Sequence, residues 1–194
     1  MNLLRKNRHN TYKADEYATS EEFRDLFLKD MAGLYLLSFL LTANHEKAEQ
    51  CFVAGLEDCV KRNSVFKEWA RSWARRAIVH NAIQIVAPHP NRDSESFAGI
   101  QREGDRKRQE TQDQHGAIAS VLVLEHFARF VFVMSILERY SEKECSVLLG
   151  CSQQDVREAR MRALQQFAEY TTRNAARQGD LIQSLSRLPE LQVL

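Results

Sequence analysis

Residues 140–164, YSEKECSVLLGCSQQDVREARMRAL, decide the fold of this chain, because a short helix, a glycine turn and a second helix follow one another with helix-turn-helix spacing. Ser141 and Glu144 form a capping box that opens the first helix: the hydroxyl and the carboxylate three residues on satisfy each other's unpaired backbone amides. Cys145, Leu148 and Leu149 supply an apolar face. Gly150 stands where the chain must leave that helix, a place that favours the residue free to adopt positive φ. Ser152 and Asp155 then cap a second helix, in which Val156, Ala163, Leu164 and Phe167 recur at i, i+7, i+8 and i+11 as the predicted buried face. Gln153, Gln154, Arg157, Arg160 and Arg162 are left as a polar, partly basic outer side. Glu158 has two readings, an acceptor for a cytosine amino group in a major groove or a solvated carboxylate.

Working outward, the 194 residues fit two small domains, and seven glycines, three prolines and the absence of alternating β-branched runs predict an all-α protein. The formal net charge of +1 means that attraction to nucleic acid must come from local patches. Asn7, Arg8, His9 and Asn10 leave no room for an apolar signal segment, so a cytoplasmic protein is expected. The apolar run 117–137 contains Glu125, His126 and Arg129, and the run 31–41 is far short of the ~20 residues of a span, so no membrane span is expected. Cys51, Cys59, Cys145 and Cys151 form no CxxC pair and lie far from histidine at ligand spacing, which predicts reduced thiols in the core. The histidines are scattered and no phosphate-binding glycine loop is present, so neither a metal, a cofactor nor an enzymatic function is expected.

Along the chain, residues 1–18 read as a mobile arm and 19–87 as a first helical block. That block opens with the Thr19–Glu22 capping box and contains helices from Phe23 to Leu41, Glu46 to Val60 and Val65 to Val86. Pro88 and Pro90 end it. Residues 88–116 are polar and charged, a flexible linker with a transient helix near 102–112. Residues 117–170 form a second block, an apolar helix up to Glu138 followed by the helix-turn-helix, with a core of Leu124, Phe127, Val131, Met134, Leu148, Val156, Leu164 and Phe167. Residues 171–194 are a tail with Leu181, Ile182, Leu185 and Leu188 on one helical face.

In the first block Lys67, Arg71 and Arg75 repeat at i, i+4 and i+8, with Arg76 beside them and Lys61 and Arg62 just upstream. The stripe suits phosphates, and a solvated face is the other reading. Phe66, Trp69, Trp73 and Ala77 form the neighbouring stripe, either core or a stacking surface for unpaired bases.

Two helical blocks with a helix-turn-helix in the second resemble bacterial sigma factors of the extracytoplasmic-function type, within the sigma-70 family. Glu144-Cys145-Ser146 with Leu149-Gly150-Cys151-Ser152 is similar to the Glu-Ile-Ala and Leu-Gly-x-Ser pattern of region 4, and Val156, Arg157, Arg162 and Ala163 match its recognition helix. Leu41-Thr42 and the segment from His45 to Glu49 resemble the Leu-Thr-Gly-Asp and Ala-Glu-Asp segments of region 2, and Phe66, Trp69, Trp73 and Ala74 match its aromatic helix. The resemblance implies two all-α domains, the second a winged-helix-like or region 4 helix-turn-helix. It implies a transcription initiation factor that binds core RNA polymerase and double-stranded promoter DNA, with an anti-sigma protein as a further partner. Glu46, Ala48, Glu49, Glu57 and Asp58 would meet polymerase. Lys61, Arg62, Lys67, Trp69, Arg71, Trp73, Arg75 and Arg76 would border the −10 element. Gln153, Gln154, Arg157, Glu158, Arg160 and Arg162 would face the −35 element. The chain departs from the family at Gln50 and Val53-Ala54, where Asp and Gln-Glu are usual, and at Asp155, Glu158 and Ala159 in the recognition helix. A polymerase-independent helix-turn-helix regulator and a degenerate sigma-like protein-binding module are the competing expectations.

Overall fold

The computed structural model describes residues 16–61, 65–90 and 112–185, with side chains described only for 116–173 of the last stretch. It is all-α, and its contacts divide the chain into two units, Met1–Pro88 and His89–Leu194. Among the described residues the only extended pairing is one isolated bridge, between Tyr17 and Phe66, so no wing accompanies the helix-turn-helix there. The flexible linker and transient helix expected between the blocks lie mostly outside the described residues, although its last residues already belong to a helix beginning at Gln112.

The first unit contains α1 (Ser20–Lys29), α2 (Met31–Thr42), α3 (His45–Lys61) and α4 (Ala70–Val86), the last entered through a 3-10 turn at Lys67–Trp69. The Thr19 capping box forms as expected, Thr19 accepting from the Glu22 amide at 3.2 Å and the Glu22 carboxylate from the Thr19 amide at 2.8 Å. The single helix expected from Phe23 to Leu41 is instead broken at Asp30, whose φ of −109° leaves the α region. The break is tied down from outside, as Arg71 Nε and Nη2 both donate to Asp30 Oδ2, at 3.1 and 2.9 Å. Residues 16–18, expected in the mobile arm, are also held: Ala18 N donates to Val65 O at 2.7 Å and Lys67 N to Glu16 O at 3.0 Å.

The α3–α4 contact sets how closely the unit packs. Ala48, Cys51, Gly55 and Cys59 form a seam of small residues along α3, all buried against neighbouring helices. A Cβ on Gly55 would sit 2.7 Å from Ile78 Cδ1, so a larger residue there requires the Ile78 side chain to shift. The Cys51 thiol donates to Ile78 O at 3.2 Å, and burial pushes its pKa up to about 11, which keeps it protonated and unreactive.

The second unit contains α5 (Gln112–Leu122), α6 (His126–Phe132) running into a π-helical turn at Val133–Leu137, α7 (Glu142–Leu149) and α8 (Gln153–Leu185). The one apolar helix expected up to Glu138 is thus interrupted before His126. The carbonyl freed at the break is met by Arg129, a charged side chain only 2 % exposed, whose Nη1 donates to Leu124 O at 3.1 Å. Phe132 on the π turn's flank stacks on Phe167 of α8 at 5.3 Å. Leu124, Phe127, Val131, Met134 and Val156 are core as expected, whereas Leu148 and Leu164 are 37 % and 38 % exposed and Phe167 is half-buried. Leu149, Cys145, Ala159 and Ala163 take their place. α8 continues through residues 171–185, so no break separates the recognition helix from the expected tail, whose last residues lie outside the described ones.

Two alanines carry backbone conformations that suit glycine, Ala43 at φ 50° closing α2 and Ala87 at φ 48° closing α4. Ala43→Gly and Ala87→Gly are each expected to raise stability by about 0.5–1 kcal/mol, since relief of the left-handed strain exceeds glycine's entropy cost. Gly55→Val is expected to lower it by about 1–3 kcal/mol through overpacking against Ile78. Urea unfolding midpoints of the three variants check both directions.

Candidate nucleic-acid interface

The helix-turn-helix is built by local chemistry on both sides of Gly150. Ser141 Oγ accepts from the Glu144 amide at 3.2 Å and Glu144 Oε2 accepts from the Ser141 amide at 2.9 Å, which starts α7. Gly150 ends it at φ 64°, and the Cys151 amide donates back to Ser146 O at 3.0 Å. α8 starts at once, with Ser152 Oγ accepting from the Asp155 amide at 3.1 Å and Asp155 Oδ2 accepting from the Ser152 amide at 2.9 Å. These bonds from the Ser152 hydroxyl and amide hold the Asp155 carboxyl below its usual range. Both predicted capping boxes and the left-handed glycine are therefore present.

Behind the turn, Cys145 and Leu149 of α7 and Val156, Ala159 and Ala163 of α8 are buried in this unit's core. Burial, then the neighbouring Glu144 and Cys151, push the Cys145 thiol up to about 11, and burial followed by Asp155 raises Cys151. All four cysteines are free thiols, three of them buried and Cys151 half-buried.

At about 100° per residue, Gln154, Arg157, Glu158 and Met161 share one outward stripe of α8, at i, i+3, i+4 and i+7. All four are exposed, Met161 at 67 %. Gln154 Nε2 donates to Glu158 Oε1 at 2.8 Å along its centre. Arg157 and Arg162 flank the stripe about 140° apart, and no salt bridge among the described residues engages either. Gln153 is exposed near the N-terminus, but Arg160 turns toward the core, half-buried and close enough to lower the Cys145 pKa. The expected single face holding all three arginines is corrected accordingly: Arg160 lies about 60° from Arg157 on the inner side. Met161 is not among the expected site residues; its offset from Val156, Ala159 and Ala163 is the sequence signal of its exposure.

The basic stripe of the first unit differs in kind. Lys67 lies in the 3-10 turn, out of α-helical phase with α4, and pairs with Glu22 of α1 at 2.9 Å, the contact that does most to lower the Glu22 pKa. Arg71 is bound to Asp30, and Lys61 to Glu57 at 3.0 Å. Arg76 is exposed, Arg75 is half-buried, and both engage neighbouring groups; Arg62 lies outside the described residues. Trp73 is half-buried, whereas Trp69, for which core was one reading, is 57 % exposed and meets Phe66 edge-on at 5.1 Å. Phe66 in turn stacks on Tyr17 at 4.7 Å.

On α3, Glu46, Glu49, Val53 and Glu57 line the exposed face opposite the small-residue seam. Asp58 is half-buried and accepts from Asn81 Nδ2 at 2.9 Å. Ala48 is fully buried in the seam and is removed from the docking candidates, since a larger side chain there would hold α3 off its neighbours.

Comparison with protein-family models and with curated proteins finds no match for this chain. Among the described residues no helix is long and apolar enough to cross a membrane.

The depressed Asp155 pKa has a directional consequence. Its stabilisation is complete above the usual carboxylate value of 3.8 and is lost as pH falls through the lower folded-state value. Asp155→Asn is expected to lower the urea midpoint at pH 7, and the gap from the unsubstituted chain should close as pH drops below 3.8, followed by circular dichroism.

Proposed function

We propose that this chain is a sigma-like transcription initiation factor without chemistry of its own, acting in the cytoplasm. Its second unit reads promoter duplex through α8, and its first unit docks on core RNA polymerase through the acidic face of α3. The observation that carries the reading is the exposed stripe Gln154, Arg157, Glu158 and Met161, flanked by Arg162, on the second helix of a capped helix-turn-helix. Donors and acceptors at its centre suit base edges, and cations at its margins suit the phosphates on either side of a groove about 12 Å wide.

Two further features support the sigma-like form over a bare helix-turn-helix regulator. The backbone at Ala43 takes the left-handed conformation, φ 50°, at the position where the resembling Leu-Thr-Gly segment carries its glycine. Glu46 and Glu49 gather on one exposed face with Val53, an acidic surface suited to a basic clamp, while Glu57 at its end pairs with Lys61. The −10 part of the reading rests on the exposed Trp69 beside Phe66, because Lys61, Lys67 and Arg71 already have carboxylate partners and Arg75 and Arg76 engage other groups as well.

Arg157→Ala and Arg162→Ala are each expected to weaken binding to −35-like duplex, and Arg162→Ala, which removes a phosphate contact, to reduce the slope of log affinity against log salt by about 0.9, the release of one phosphate's counterions. Fluorescence anisotropy across a salt series measures it, and unchanged affinity in both variants rejects the α8 interface. In a separate experiment the chain should co-elute with core RNA polymerase, and Glu46→Lys with Glu49→Lys should abolish this without changing duplex affinity. Duplex binding without co-elution would favour the polymerase-independent regulator.

A further inference from the structure

We propose that Met161 is a specificity residue that reads the 5-methyl group of thymine, resting on the reading above that α8 enters the major groove of duplex DNA. The side chain is 67 % exposed on a helix whose apolar residues Val156, Ala159 and Ala163 are fully buried, so it has no role in the core. It lies four residues from Arg157 and three from Glu158, on the stripe that begins at Gln154. Residues at i, i+3, i+4 and i+7 are the set a helix lying in the major groove presents to successive base pairs.

The chemistry of the stripe leaves one base unread. A guanidinium pairs with guanine O6 and N7, a carboxamide with adenine N6 and N7, and a carboxylate with the cytosine amino group. Arg157, Gln154 and Glu158 supply these groups. Thymine presents a lone carbonyl acceptor and a methyl group, and the methyl is recognised by apolar contact. Met161 is the apolar member of the stripe, and an unbranched thioether adapts to a small apolar target. The flanking Arg157 and Arg162 give the surface the positive margin that duplex requires, which an apolar patch meant for a protein partner does not need.

The test replaces single atoms on the DNA. A preferred duplex is selected with the full chain from a random library, with and without core RNA polymerase, and each thymine is then replaced by uracil, which removes only the methyl group. One replacement is expected to weaken the unsubstituted chain about four-fold, the worth of one buried methyl group. Met161→Ala should be insensitive to that replacement, and Met161→Leu should regain the discrimination. Equal thymine-to-uracil ratios for the unsubstituted chain and Met161→Ala would overturn the proposal while leaving the interface reading intact. Absence of duplex binding under both conditions would overturn the two together.

Discussion

The second unit depends on how the chain turns between Leu149 and Gln153. Gly150 at φ 64° and the Ser152 cap fix the direction in which α8 leaves α7, and Ala159 and Ala163 behind the turn let the helix settle into the core. Once that direction is set, helical periodicity alone determines which side chains face outward. A residue with Cβ at Gly150 would meet no neighbouring atom but would carry left-handed strain into the turn. The chemistry offered to a partner is thus controlled by a backbone dihedral that makes no contact with that partner.

A nearly neutral chain distinguishes its cations by whom they face. Lys61, Lys67 and Arg71 sit beside carboxylates within 3.0 Å, and an exposed pair of this kind presents little net field to a polyanion. Arg157 and Arg162 carry no such ion pair among the described residues, and Asp155, whose carboxyl Arg162 helps to hold below its usual range, is already engaged by the Ser152 cap. On the function proposed above, phosphate attraction falls to Arg157 and Arg162 of α8 rather than to Lys61, Lys67 and Arg71.

Much of the candidate site was legible because its determinants are local. Capping boxes join residues three apart, and a helix C-terminus takes its glycine within one turn, so Ser141, Gly150 and Ser152 were identifiable without any tertiary information. The errors share a different origin. Ala48 entered the docking set through the resemblance to the Ala-Glu-Asp segment, yet it belongs to the small seam buried along α3. The apolar run up to Glu138 reads as one helix, yet it is interrupted before His126, where the buried Arg129 donates to Leu124 O. Lys67 and Arg71 looked unopposed because their acids, Glu22 and Asp30, lie 45 and 41 residues away.

By itself the sequence determined the all-α class, the two helical blocks, the caps, the turn and which residue types stand near the recognition helix, since all of these follow from propensity, periodicity and hydrogen bonds within a few residues. Only the tertiary structure decided which charges remain uncompensated, where long helices break and which members of an apolar repeat reach the core. Those outcomes depend on groups far apart in the chain, such as Arg71 on Asp30 and Phe132 on Phe167, and no local pattern encodes which distant partner will arrive.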